Sequence, residues 1–323
     1  MTGWAEALVA GVLALGAPVA GPAVASAGVA SAGDGPAHAV KLFSFTDPAI
    51  IESSGLADTG RQVLTVNDSG DTARIFRIDP ASGDTVGVTE YARGAVDVEA
   101  LAPGPRGALW VGDIGDNRRE RSTVSVYRVS PSGRTEELRL RYPGGPRDAE
   151  ALLVHPHSGR MFVVSKSPLG GTVYAVPPQP VPGVNRLRHF ATVPGLVTDG
   201  AFFPDGRHVV LRGFGTASVY TFPAFDLVGT VRLPDQPQGE GISVGPDGRV
   251  LVSSEGLHAA VFEVRIPDSL LGGAAEDRAP AQPAPTPPPP DPPWVGIAVV
   301  GAGGVALGLL VLRAARPRSP RSQ

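Results

Sequence analysis

The chain has 323 residues, 18% charged and 42% hydrophobic, a formal net charge of −3, 42 glycines, 34 prolines and no cysteine. It is long enough for one large domain or two ordinary ones. The lack of cysteine excludes a disulfide scaffold, a thiolate zinc site and a cysteine nucleophile. Near-neutral charge argues against the basic stripe of a nucleic-acid binder.

The N-terminus, residues 1–32, contains no lysine or arginine. Ala5 to Leu15 is almost wholly apolar, and Ala25-Ser26-Ala27 and Ala30-Ser31-Ala32 both fit a small-x-small cleavage site. The segment reads as a secretory signal peptide that lacks the usual basic start. A short β-branched and aromatic run, Lys41-Leu-Phe-Ser-Phe45, follows and reads as an isolated strand.

From residue 40 to residue 271 the chain repeats itself five times. Each repeat opens on a related segment: Glu52-Ser-Ser-Gly-Leu-Ala57, Asp97-Val-Glu-Ala-Leu-Ala102, Asp148-Ala-Glu-Ala-Leu-Leu153, Thr198-Asp-Gly-Ala-Phe-Phe203 and Gln238-Gly-Glu-Gly-Ile-Ser243. Each then runs into a glycine turn, at Gly60, Gly107, Gly159, Gly206 and Gly248, spaced 47, 52, 47 and 42 residues apart. Such turns suit hairpins, and the spacing is that of a four-stranded propeller blade. Second and third strands follow every turn. Fourth strands are expected at Thr85–Tyr91, Glu137–Tyr142, Arg186–Val193 and Leu227–Leu233. The fifth repeat has none, so the isolated strand at 41–45 is expected to complete it. This predicts an all-β, five-bladed β-propeller closed by its N-terminal strand, with a six-bladed ring as the alternative.

Beyond the repeats, residues 272–293 carry nine prolines and read as an extended stalk. Trp294 to Leu312 is apolar and uncharged, about 28 Å as a helix, and four arginines follow it in residues 313–323. The expectation is a single-pass transmembrane helix with the propeller extracellular and the basic tail cytoplasmic.

In a propeller the first strand of each blade lines the axis and the second runs antiparallel beside it. The starts of the first strands and the ends of the second therefore share one face of the disc. The candidate metal ligands there are Glu52, Asp97, Glu99, Asp116, Asp148, Glu150 and Glu240, with Asp199 nearby. The candidate ligand-binding residues are Asp68, Asp113, Lys166, Arg212 and Glu255, the two cations serving to clamp an anion. Three readings of this ring stay open. The acids can pin neighbouring blades by accepting backbone N–H bonds; they can hold a hard cation such as Ca²⁺; or a metal-bound water can attack an ester held by Lys166 and Arg212. Asp68-Ser-Gly-Asp71 and Asp113-Ile-Gly-Asp116 are not EF-hands and read as Asx-type turns. Gly241-Ile-Ser243-Val-Gly245 fits a nucleophile elbow only in letters, because it runs into a hairpin turn and not a helix.

Glu52-Ser-Ser-Gly-Leu-Ala57, Asn67-Asp-Ser-Gly70, Gly112-Asp-Ile-Gly-Asp-Asn117 and Asp148-Ala-Glu-Ala-Leu-Leu153 together resemble a group of secreted, often membrane-anchored actinobacterial β-propeller proteins, commonly labelled WD40-like. These are similar to the esterase-like propellers grouped with phytases. The resemblance implies a propeller over about residues 46–267, with a calcium or phosphate-ester connection, but no particular substrate. The WD40 signature proper is absent. The expected function is therefore a cell-surface ligand-binding or scaffolding propeller with a divalent cation at its acidic mouth. The alternative is an extracellular metal-dependent phosphoesterase or esterase. The expected partners are an extracellular protein, a glycan or a small anionic ligand, with the membrane as anchor and no nucleic acid.

Overall fold

The computed structural model describes residues 38–272 apart from Arg93. The expected signal peptide, the stalk beyond Gly272, the transmembrane helix and the basic tail lie outside the described residues. Among the described residues no helix is long and apolar enough to cross a membrane.

Five antiparallel sheets follow one another along the chain. Blade 1 is Ser53–Asp58, Val63–Asn67, Arg74–Ile78 and Thr85–Glu90. Blade 2 is Val98–Pro103, Leu109–Asp113, Val124–Val129 and Thr135–Arg141. Blade 3 is Ala149–Val154, Met161–Ser165, Gly171–Ala175 and Arg188–Val193. Blade 4 is Asp199–Phe202, His208–Arg212, Thr216–Thr221 and Leu227–Arg232. Blade 5 is Gly239–Val244, Val250–Ser254 and Ala260–Val264, completed by the N-terminal strand Ala39–Ser44 along its outer edge. The five-bladed ring and its closure thus follow the sequence expectation, and no sixth blade exists among the described residues. One detail differs. Val184–Arg186 leaves blade 3 and pairs in parallel with the outer strand of blade 2, because Pro180 and Pro182 break the run before it.

The first strands pack side by side around the axis, blade 1 against 2, 2 against 3, 3 against 4, 4 against 5 and 5 against 1. In blades 1, 3 and 5 every residue of the first strand is buried, whereas the outer strand Thr85–Glu90 alternates between half-buried and exposed. That gradient is what a strand sees at the hub and at the rim of a disc. Five apolar clusters fill the spaces between adjacent blades, so the core is distributed and not central. At the seam, Arg249 of blade 5 reaches Asp58 of blade 1 (Nε–Oδ2 2.5 Å, Nη2–Oδ1 3.1 Å), and Ser243 Oγ accepts the Asp58 N–H at 2.8 Å. Ser53 and Ser253 hydroxyls meet across the same seam at 3.0 Å. One end of the axis is an apolar cavity of about 390 Å³ lined by Leu56, Leu101, Leu152, Phe202 and Ile242. The acids gather at the other end.

Candidate metal centre at the acidic mouth

Each second strand ends on a polar residue: Asn67, Asp113, Ser165, Arg212 and Ser254. In three blades that side chain ties down the backbone entering the first strand. Asn67 Oδ1 accepts the N–H groups of Ile51 and Glu52 at 3.3 Å, and the Asp113 carboxylate accepts those of Val96 (3.3 Å) and Asp97 (3.0 Å). Ser254 Oγ donates to the Gln238 carbonyl at 2.7 Å. The next residue of the first strand is then left without a ladder partner. A register shift isolates Ser54, Glu99 and Glu150, and in blade 5 the pair Glu240-Gly241. Blade 4 keeps its register unbroken through Asp199 and Gly200. A β-bulge re-aims the side chain it carries, and here four bulges turn one serine and three glutamates toward the same end of the axis.

The result is a continuous row of carboxylates across blades 1–3. Oxygens of Asp68, Asp97 and Glu99 lie within 4.8 Å of one another, and so do those of Glu99, Asp148 and Glu150. Glu99 belongs to both groups. Its Oε2 lies 3.0 Å from Ser54 Oγ. Lys166 Nζ, at 2.8 Å from Glu150 Oε1, is the only cation in a salt bridge with any member of the row among the described residues. Glu99, Glu150 and Glu240 are almost fully buried, and Glu240 Oε2 has no hydrogen-bond partner.

Burial, reinforced by the neighbouring carboxylates, raises the acid pKa values. Burial lifts Asp97 to about 6, helped by Asp68 and Asp148. Glu240 rises to about 7 through burial, with Lys166 opposing and Glu255 adding to it. Burial also raises Glu99, reinforced by Glu150 and Asp68, and raises Glu150 in spite of Lys166. Asp68 and Glu255 are raised by the same cause. Burial works against the Lys166 ammonium, but Glu150 outweighs it and holds the lysine charged. With one lysine as counter-charge, burial and mutual repulsion favour the protonated carboxyls, and a hard cation could replace those protons.

Gly115 is part of the same construction. A Cβ there would lie 2.5 Å from Glu99 Oε1 and 2.6 Å from the Asp97 carboxylate. Its backbone is held by its own N–H to the Asp97 carbonyl (3.1 Å) and by Arg121 Nη1 to its carbonyl (2.7 Å). Gly115→Ala is expected to push the two carboxylates apart, weakening cation binding at least ten-fold while costing only about 1–2 kcal/mol of stability. Calcium titration followed by thermal unfolding reads both.

Several expected site residues turn out to be engaged elsewhere. Asp113 binds backbone and Arg121 Nη2 (2.8 Å), and Asp116 caps its own loop by accepting the N–H groups of Glu120 (2.8 Å) and Arg121 (2.9 Å). The Gly112–Asn117 stretch is thus the frame that presents Gly115. Asp199 is spent on the Ile242 N–H of blade 5 (2.8 Å) and its neighbour Gly200 (2.7 Å). Asp148, a member of the row, also accepts the Asp116 N–H at 2.9 Å, pinning blade 3 to blade 2.

Arg212 differs most from its expected place as an anion clamp. It is fully buried, with Nη1 donating to the carbonyls of Gly241 and Ser253 and Nη2 to Gln236 Oε1, all at 2.6 Å. Burial lowers its pKa to about 10. Gly239 lies flat against Nη2, where a Cβ would collide. Three of the guanidinium's five N–H groups are thus spent on protein acceptors, while its Nε is buried without a hydrogen-bond partner. Glu52 and Glu255 stand half-buried outside the row. Ser54, Gly115 and Arg121 are the residues that the sequence reading did not single out. Aligning Ser53-Ser-Gly55 with Val98-Glu-Ala100, Ala149-Glu-Ala151 and Gly239-Glu-Gly241 marks Ser54 as the blade 1 counterpart of the glutamates.

No protein-family model matches the chain, and no curated protein matches it. Among solved structures it is similar to a gluconolactonase from Xanthomonas campestris (17% identity, TM-score 0.44, 72% of this chain and 90% of that one). It is also similar to a luciferin-regenerating enzyme (14%, 0.47, 72% and 96%) and to a putative gluconolactonase (15%, 0.42, 71% and 92%). All three TM-scores lie below 0.5, and both the fold and the chemistry of the mouth are read from this chain's own residues.

Proposed function

We propose that the chain is a divalent-cation-dependent hydrolase of a small phosphate or carboxylic ester, working at the acidic mouth. The observation that carries this reading is the row Asp68–Asp97–Glu99–Asp148–Glu150, five converging carboxylates served by one lysine. An all-oxygen donor set suits Ca²⁺ or Mg²⁺ and not a soft metal. Glu99 would be a ligand in either half of the row. A cation held there would supply Lewis-acid polarisation of the ester and an acidified water. Lys166, bonded to Glu150 and a quarter exposed, has further N–H donors for an anionic oxygen. Glu240, buried, with a free oxygen and a pKa near neutrality, is placed to carry a proton.

The test is nitrophenol release from para-nitrophenyl phosphate and acetate in Ca²⁺, Mg²⁺ or EDTA. Turnover should require the cation, and Glu240→Gln should lower kcat about 100-fold without lowering Tm. A Ca²⁺-dependent rise in Tm with no turnover of either ester would instead favour a binding or scaffolding propeller. In both readings the apolar segment 294–312 and the arginines after it would hold the propeller outside a membrane on its proline-rich stalk.

The raised carboxyls also set a pH dependence. Asp97 and Glu240 have folded pKa values above their unfolded ones, so between about pH 4 and pH 7 the folded state binds more protons than the unfolded. Stability then falls as pH rises through that window, extending further for Glu150. His155, lowered by burial, acts in the opposite sense but is a single group against several. In EDTA the Tm should decline from pH 5 to pH 8, and saturating Ca²⁺ should flatten the decline.

A further inference from the structure

Large apolar side chains exposed on this propeller are not scattered at random. Ile51 precedes the first strand of blade 1 and Val96 that of blade 2; Leu169, Phe214 and Leu257 lie between the second and third strands of blades 3, 4 and 5. All these positions belong to the face that carries the acids, and there is one for each blade. Leu169 is 97% exposed. The loops of Ile51 and Leu257 touch, the Gly256 N–H donating to the Ile51 carbonyl at 2.8 Å. The other exposed large apolar residues, Val40, Val86, Val88 and Val181, sit on outer strands or in a loop of the opposite face. Arg118 and Arg119, also exposed, stand in the blade 2 loop of the acidic face.

The face thus has a charged, polar centre and a collar of loops in which one large apolar side chain per blade is exposed beside polar neighbours such as Ser69, Asn117 and Arg118. Protein-binding surfaces show the reverse order, an apolar centre within a polar rim. A charged centre inside an apolar collar complements a molecule with a charged head and an apolar tail. We propose that the substrate of this mouth is an amphiphile, its anionic ester head entering the acidic centre and its alkyl tail lying across the collar of Ile51, Val96, Leu169, Phe214 and Leu257. This rests on the cation-dependent ester reading above, since an anionic head enters the carboxylate row only with a cation present. Arg118 and Arg119 add positive charge at the rim on which such a head arrives.

The experiment is calorimetric titration of the full chain with butyl phosphate and octyl phosphate, both below micelle formation, in saturating Ca²⁺. Four extra methylenes, half covered by the collar, should tighten binding about ten-fold. In the Leu169→Ser/Phe214→Ser double variant that ratio should fall to near one. Both residues are exposed, so folding should be unaffected. Val86→Ser/Val88→Ser, on the outer strand of blade 1, should keep the ratio. Equal affinity for the two phosphates in the unaltered chain overturns the proposal, even if short esters are hydrolysed. A ten-fold ratio with no turnover of any ester sustains the collar and removes the hydrolase reading. Binding to phosphatidylcholine vesicles that the Leu169→Ser/Phe214→Ser variant weakens, with no octyl preference, overturns it in favour of a bilayer surface.

Discussion

Arg212→Met is expected to destabilise the propeller by about 4 kcal/mol, lowering Tm by about 10 °C. The guanidinium joins the second strand of blade 4 to both inner strands of blade 5 through the Gly241 and Ser253 carbonyls, and it also holds Gln236. Methionine fills much of the space but leaves three buried acceptors without a donor, each costing about 1–3 kcal/mol before any relaxation. It also removes a positive charge that favours the ionised forms of Asp199 and Glu240. Lysine should rescue little, since an ammonium cannot reproduce the planar fork that meets three acceptors at once. Chemical denaturation of the two variants checks this. A variant that folds with unchanged stability and binds anions more weakly would return Arg212 to the role of anion clamp.

Glu99→Gln is expected to abolish the response to Ca²⁺. Glu99 is the only carboxylate common to both groups, so its loss leaves each with two acids. In the unaltered protein, Ca²⁺ at about 100 times its Kd should stabilise the fold by about 2.7 kcal/mol, a rise in Tm of several degrees. The variant should show no rise, and any ester turnover should fall at least about 100-fold. Without cation it should be as stable as the unaltered chain or more so, because an amide replaces a carboxyl that burial disfavours in its charged form. An unchanged Ca²⁺ response would remove Glu99 from the centre and leave the acids as backbone acceptors between blades.

Much of this architecture was legible along the chain. The five opening segments, the glycine turns and the leftover strand at 41–45 specify blade number and ring closure, because each is a local pattern repeated at blade length. The missing glutamate of blade 4 was visible as well, as Gly200 in the place of Glu150, and the structure pairs that absence with the one first strand that has no bulge. What lies between the acids was not legible. Asp97, Asp113, Asp116, Asp148 and Asp199 look alike in sequence, yet the structure spends Asp113, Asp116 and Asp199 on backbone and brings Asp97 and Asp148 to the row.

The sequence by itself determined the repeat, the turns and the number of blades, since these depend on residue type and spacing within about fifty positions. The tertiary structure alone decided which acids meet, that Arg212 braces the ring instead of facing a ligand, and that Glu99 joins two groups. The physical reason is the side-chain alternation of a strand: one unpaired residue exchanges the two faces. Whether Glu99 turns to the axis therefore depends on the bulge between Val98 and Ala100, beside the strand entry that Asp113 binds. Whether Arg212 is buried depends on two carbonyls of the neighbouring blade.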